Sequence, residues 1–194
     1  MPRVSRLLLV AVLLVGLLPP AVSRTDEPAS RPAAWATKID RPSLPNLHKV
    51  SDGLYRGAQP TVEGIKELEK MGVKTIVCLR SGKADREIVR GSNLVLAEIP
   101  MNTWDVEEEY VVRFLKIVAD KNRQPAFVHC QHGADRTGTM CAAYRVVIDG
   151  WTKQQAIDEM TKGGFNFHSI WVNLPKFSEN MDVEAIKAKV GLKD

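Results

Sequence analysis

The ten residues His129-Cys130-Gln131-His132-Gly133-Ala134-Asp135-Arg136-Thr137-Gly138 place a thiol, two imidazoles, a carboxylate, a guanidinium and a hydroxyl in one short stretch. A thiol attacks only as the thiolate, so what surrounds Cys130 decides whether it reacts. Arg136, six residues on, carries a planar and permanent charge that suits a tetrahedral oxyanion such as phosphate. Gly133 lets the backbone curl so that several N–H groups point at one centre. Convergent amides, the positive end of a helix and Arg136 all favour a thiolate, so the Cys130 pKa is expected to be lowered. At ordinary residue usage, His-Cys-x-x-Gly-x-x-Arg-Thr-Gly arises by chance in such a chain with a probability on the order of 10⁻⁶. The pattern is therefore read as a functional loop, with a nucleophile at the floor of a phosphate-sized cradle. His129, Cys130 and His132 also have metal-ligand chemistry. Their spacing fits no closed zinc set and no fourth ligand stands nearby, so no metal and no cofactor is expected.

Such a loop works only if strands and helices hold it. "PAFVHC" (125–130) reads as a buried strand, and residues 137–149 as a helix with Met140, Tyr144, Val147 and Ile148 inward. The loop therefore leaves a strand's C-terminal end and enters a helix N-terminus, where open α/β sheets bind ligands and anions. Upstream, 47–60 reads as two strands around Asp52-Gly53, and Thr61 caps a helix ending at Met71. Residues 73–79 and 93–100 read as further strands. Helix 106–120 carries Tyr110, Val111, Phe114, Ile117 and Val118 on one face, with Asp105 and Glu108 as its capping box. Thr152 and Gln155 box a helix to about Lys162, and a last helix covers 182–190. The alternation predicts a single α/β domain with a central, mostly parallel sheet flanked by helices.

The 194 residues suit one domain with appendages. Arg3 and Arg6, then the apolar run Leu7–Leu18, Pro19-Pro20 and Ala21-Val22-Ser23, read as an export signal over 1–23, cut after Ser23. The run is shorter than the roughly 20 residues of a membrane span, so no stable span is expected after cleavage. The destination is then periplasmic or secreted, with an N-terminal anchor as the alternative if the signal stays. Residues 24–45, with Pro28, Pro32, Pro42 and Pro45, read as a disordered tether, and the domain is expected over 46–194. Without the leader, 25 basic residues face 23 acidic ones, a balance that argues against a nucleic-acid partner. Three cysteines make a poor disulfide framework for an exported chain and favour a free reactive thiol.

"HCQHGADRTG" resembles the signature loop of the cysteine-dependent protein tyrosine phosphatase superfamily. "GLYRGAQP", a helix and "VKTIVCLR" resemble the early part of the compact and atypical dual-specificity phosphatases. The resemblance spans about 47–150. It implies that Cys130 forms a phosphocysteine and that Arg136 binds the phosphoryl oxygens and stabilises the transition state. It implies that the amides of Gln131, His132, Gly133, Ala134, Asp135 and Arg136 complete the cradle. Thr137 would place its hydroxyl near the sulfur and ease breakdown of the intermediate, and His129 would orient the loop from behind.

The leaving oxygen needs a proton. The family usually supplies it from an aspartate ahead of the signature strand, which points to Asp105. Asp135, inside the loop as in some bacterial tyrosine phosphatases and myotubularin-type lipid phosphatases, is the rival, and Glu98 a third choice. Cys78 is read as core packing or as a resolving thiol for Cys130, and Cys141 as core. Trp104 walls a cleft or staples a helix, and "GGFNFH" (163–168) is a packed loop. The expected reaction is metal-independent phosphomonoester hydrolysis on a phosphorylated protein or a small-molecule phosphate. The absence of lysine from the loop favours phosphotyrosine over a phosphoinositide. A phosphate-binding module without turnover, and a sulfur-transfer or arsenate-reducing enzyme, are the readings from other classes.

Overall fold

A computed structural model describes residues 31–82 and 84–192. The strands are β1 (Thr37–Lys38), β2 (His48–Ser51), β3 (Leu54–Gly57), β4 (Thr75–Cys78), β5 (Val95–Glu98) and β6 (Ala126–His129). The helices are α1 (Val62–Lys70), α2 (Ala84–Ile88), α3 (Glu108–Ala119), α4 (Asp135–Val147), α5 (Lys153–Lys162), α6 (Asn173–Asn180) and α7 (Val183–Val190). The strand order is β1-β2-β3-β6-β4-β5. β6 lies in the middle and pairs in parallel with both β3 and β4, while β4 pairs in parallel with β5. Only the β1-β2-β3 edge is antiparallel. The strand that feeds the signature loop is thus held by a parallel neighbour on each side.

Strand alternation sorts the core into two layers. Ile76 and Phe127 pack with Ile65 and Leu68 of α1. Val77 and Val128 pack on the other face with α3, α4 and α5. β4 and β6 are buried throughout, as expected of central parallel strands covered on both sides. α4 differs from its one-faced reading. It is buried on all sides, because α3, α5, α6 and α7 all pack around it. Ala142, Ala143 and Gly138 keep it slim enough for that.

Thr61 caps α1 by accepting from the Gly64 N–H at 3.1 Å, and Thr152 with Gln155 forms the capping box of α5. The box expected for α3 does not form. That helix begins at Glu108, behind Glu107 and without a side-chain cap, so Asp105 lies outside it. Glu108 and Glu109 in its first turn still complement the helix dipole.

The tether expected over 24–45 is corrected for its second half. Ala36 and Leu44 are each 1 % exposed, β1 pairs with β2, and the Ile39 N–H donates to the Leu47 carbonyl. Prolines there shape an ordered path because the apolar residues between them reach the core. Residues 31–45 therefore belong to the same compact unit as the domain expected from 46. The expected leader, 1–23, and residues 24–30 lie outside the described residues. Among the described residues, no helix is long and apolar enough to cross a membrane.

Candidate active site

β6 ends at His129, and the next residues curl into the N-terminus of α4. Gly133 takes φ +70°, and a Cβ there would stand 2.3 Å from the Gly57 carbonyl carbon. The loop's curl and its approach to the end of β3 thus both require glycine. Arg56 of β3 holds the loop from behind. It is 1 % exposed, donates from Nη2 to the Gly133 carbonyl at 2.9 Å, and lies 3.7 Å over the Phe165 ring. Asn46 Nδ2 donates to the His132 carbonyl at 3.0 Å, and the Gln59 N–H to that of Gln131 at 3.2 Å. The loop is preorganised by the side chains of Arg56 and Asn46 and by the backbone of Gln59.

Cys130 sits at the floor, 2 % exposed. Burial alone would push its thiol up. The Thr137 hydroxyl and amide, the Arg136 charge and the Gly133 amide outweigh it and hold the thiol below its ordinary range. Thr137 is fully buried, and its hydroxyl has no partner except the sulfur among the described residues. Arg136 Nη1 donates to the Met101 carbonyl at 3.2 Å and the Leu79 carbonyl at 3.4 Å, which turns its guanidinium into the cleft. The other cysteines behave differently. Burial pushes Cys141 up to about 11, and burial with a hydrogen bond to Asp85 pushes Cys78 up to about 12. All three thiols are free. Iodoacetamide at pH 6.5 is therefore expected to modify Cys130 alone in the folded protein, with Cys78 and Cys141 labelled only after denaturation. Peptide mapping by mass spectrometry checks this, and inorganic phosphate should protect Cys130.

Behind the loop lies a polar cluster that the sequence reading did not assemble. Cys78 and His129 are register partners on β4 and β6, and both face Asp85 of α2. Cys78 Sγ donates to Asp85 Oδ2 at 2.8 Å, and His129 Nε2 lies 3.3 Å from Oδ1. His129 Nδ1 lies 3.1 Å from the Cys130 carbonyl oxygen, which can only accept, so Nδ1 carries a proton. Burial opposes the charge on Asp85, yet hydrogen bonds from His129, Cys78 and Gln59 keep its carboxyl well below the usual carboxylate range. These three are the metal-ligand types whose donor atoms cluster within 4.8 Å among the described residues. His132, from the set weighed in the sequence, is not with them. It lies on the cleft side against His168. Cys78 is thus neither plain core nor aimed at Cys130, which packs in the opposite layer with Val128.

A cleft beside the loop is lined by its residues Gln131, His132, Asp135 and Arg136. Arg80 and Ser81 come from the end of β4, Asn102–Trp104 from the segment before α3, and His168, Ile170 and Trp171 from the segment before α6. Asp135 is engaged. The His168 N–H donates to its Oδ1 at 2.9 Å, and His168 Nδ1 lies 2.9 Å from Oδ2. Asp105 is exposed, follows the cleft-lining Trp104, and has no hydrogen bond or ion pair among the described residues. Glu98 is occupied by Arg86, at 2.6 Å, and stands outside the cleft. His168 falls in the "GGFNFH" loop, which carried no chemical pattern of its own. Arg56, Gln59, Arg80 and Asp85 likewise become visible only once the sheet order is known.

Residues 42–173 match the family described as DSP-PTPase phosphatase fused to NAD+ kinase. Over 183 residues, 94 % of this chain and 83 % of the relative, it is 33 % identical to the dual specificity protein phosphatase TpbA of Pseudomonas aeruginosa. The crystal structure of P. aeruginosa TpbA superposes with a TM-score of 0.74 at 31 % identity, covering 84 % of this chain and 99 % of that one. A cysteine-to-serine TpbA in complex with phosphotyrosine gives 0.73 at 30 % identity, with the same coverage. The core of the PP-IP phosphatase Siw14 from S. cerevisiae shares the fold, with a TM-score of 0.65 at 22 % identity over 76 % of this chain and 92 % of that one.

Proposed function

The chain belongs to the dual-specificity protein phosphatases, and we propose that it hydrolyses phosphotyrosyl esters through a phosphocysteine, without a metal. The observation that carries this reading is a buried Cys130 whose thiol is held down by Thr137 and Arg136, in a loop whose next residues, Gln131, His132, Asp135 and Arg136, line a cleft. In the first step the Cys130 thiolate attacks phosphorus and the ester P–O bond breaks. Arg136 and the amides of residues 131–136 take up charge on the equatorial oxygens. In the second step water attacks the phosphocysteine, and the Thr137 hydroxyl eases departure of the sulfur. Trp104 and Trp171 line the cleft walls, which suits an aryl leaving group, and the TpbA variant holds phosphotyrosine.

We assign the departing phenol's proton to Asp105. Its carboxyl is unengaged beside the cleft, whereas both oxygens of Asp135 are taken by His168. Asp135 then positions the loop and His168. A general acid matters most for a poor leaving group. Asp105→Asn is expected to lower kcat on a phosphotyrosyl peptide by about 10² to 10³ and on a dinitrophenyl phosphate by less than about tenfold. Asp135→Asn should lower both alike. If the leaving-group dependence follows Asp135 instead, the assignment is reversed. A small-molecule phosphate, phosphoinositides included, is the second reading, favoured by the extra guanidinium of Arg80 in the cleft. Steady-state hydrolysis of a phosphotyrosyl peptide against a phosphoinositide vesicle, with EDTA present, separates the two. Export to the periplasm or beyond is part of the same proposal and rests on the pattern of residues 1–23.

A further inference from the structure

Arg80 leaves the C-terminal end of β4 and lines the same cleft as Arg136. Both arginines line this cleft, and Arg136 Nη1 donates to the carbonyl of Leu79, the residue before Arg80. Like charges so placed repel unless something neutralises them or a ligand needs both. Arg80 has no carboxylate partner among the described residues. Its Nη1 donates to Gln59 Oε1 at 2.5 Å, a neutral amide. Gln59 is itself fixed: Nε2 donates to Asp85 Oδ1 at 2.7 Å, and its N–H donates to the Gln131 carbonyl. Asp85 is 2 % exposed and is already gripped by Cys78 and His129. The amide of Gln59 therefore sets the direction of Arg80 and keeps the nearest buried carboxylate one residue away from it. The remaining carboxylate in the cleft, Asp135, is bound to His168.

We propose that Arg80 forms a second anion-binding subsite beside the phosphoryl cradle, and that the preferred substrate carries a second anionic group next to the scissile phosphate. This rests on the phosphatase reading above. The loop amides and Arg136 already account for one phosphoryl group, so a further oriented and unneutralised guanidinium takes a different group. The shared chemistry is a carboxylate or phosphate adjacent to the reacting ester. Its source is either an acidic residue flanking phosphotyrosine or a neighbouring phosphate on a small polyol.

The test uses two matched substrate pairs with the protein of residues 24–194. One pair is a phosphotyrosyl peptide with aspartate or alanine on either side of the phosphotyrosine. The other is an inositol bisphosphate with adjacent phosphates against an inositol monophosphate. The doubly anionic member of one pair is expected to have about tenfold higher kcat/KM. Which pair shows it identifies the source. Arg80→Gln should bring that ratio close to one, and Arg80→Lys should retain part of it, as a point charge without the planar fork. Thermal melts that match the parent establish that the ratio reports binding and not damage. Equal kcat/KM within both pairs in the parent, or a ratio that survives Arg80→Gln, overturns the subsite. Turnover of the singly anionic members, lost with Cys130→Ser, reads the phosphatase chemistry separately. A failed subsite therefore leaves that chemistry standing, and a failed phosphatase reading shows as no turnover of any substrate.

Discussion

Cys130→Ser is expected to remove hydrolysis of phosphotyrosyl and simple aryl phosphates, lowering kcat by at least about 10⁴-fold, while the fold and the cradle survive. The site holds the thiol below its ordinary range against the effect of burial. A serine hydroxyl starts so far above a thiol that the same hydroxyl, amides and guanidinium cannot ionise it at neutral pH. Thr137 and Arg136 need not move for an isosteric change, so the cradle still presents its amides and charge. Removing the thiolate also removes the negative charge that an incoming phosphate must approach. Inorganic phosphate is therefore expected to bind the serine variant at least as tightly as the parent, measured by calorimetry. Activity of the parent should persist in EDTA. Residual turnover above about one per cent in the variant, or loss of parent activity in EDTA, would contradict cysteine chemistry. Unchanged phosphate affinity with lost turnover would locate the defect in the chemical step.

The loop was legible because its information is local. The residues that touch the sulfur or turn it into a thiolate, Gly133, Arg136 and Thr137, lie within seven positions of Cys130. The apolar runs 73–79 and 125–130 likewise announce β4 and β6, because strands buried on both faces show as continuous apolar sequence. What was not legible is what the sheet order brings together. Asp85 meets His129 only because β4 lies beside β6, and Arg56 meets Gly133 only because β3 lies on its other flank. His168 reaches Asp135 across 33 positions, from a loop whose composition suggests nothing but turns. The capping box drawn at Asp105 shows the limit of local pattern: α3 starts later, and Asp105 faces solvent beside Trp104 instead. The N-terminal segment misled for the opposite reason. Four prolines suggested a loose chain, but two small contacts, Ala36 and Leu44, are enough to seat it when a polar anchor waits on the domain.

That anchor carries the largest stability effect expected. Glu159 and Arg145 are 2 % and 4 % exposed and meet by a two-pronged contact, Nε to Oε2 at 2.8 Å and Nη2 to Oε1 at 2.9 Å. Arg145 also pairs with Asp149 at 2.8 Å and lies 4.3 Å from the Trp151 ring centre. Burial works against its charge, but the two carboxylates outweigh this and keep the guanidinium protonated. Glu159 Oε1 further accepts the Ala36 N–H at 2.6 Å, and Arg145 Nη2 donates to the Ala34 carbonyl at 3.3 Å. One ion pair thus joins α4 to α5 and ties the segment before β1 to both. Glu159→Ala leaves a buried guanidinium with Asp149 as its one carboxylate partner and an amide without an acceptor. The expected cost is about 3–5 kcal/mol, which for a domain of this size lowers the melting temperature by about 10 °C. Breaking a pair differs from replacing it. Arg145→Met with Glu159→Leu removes both charges together and should recover part of the loss. Deleting residues 31–44 removes the same amide, so the two changes should cost less together than the sum of each alone. Melts of the parent and these four variants decide the matter: a Glu159→Ala variant within about 2 °C of the parent would mean that water, not Glu159, satisfies Arg145 and Ala36.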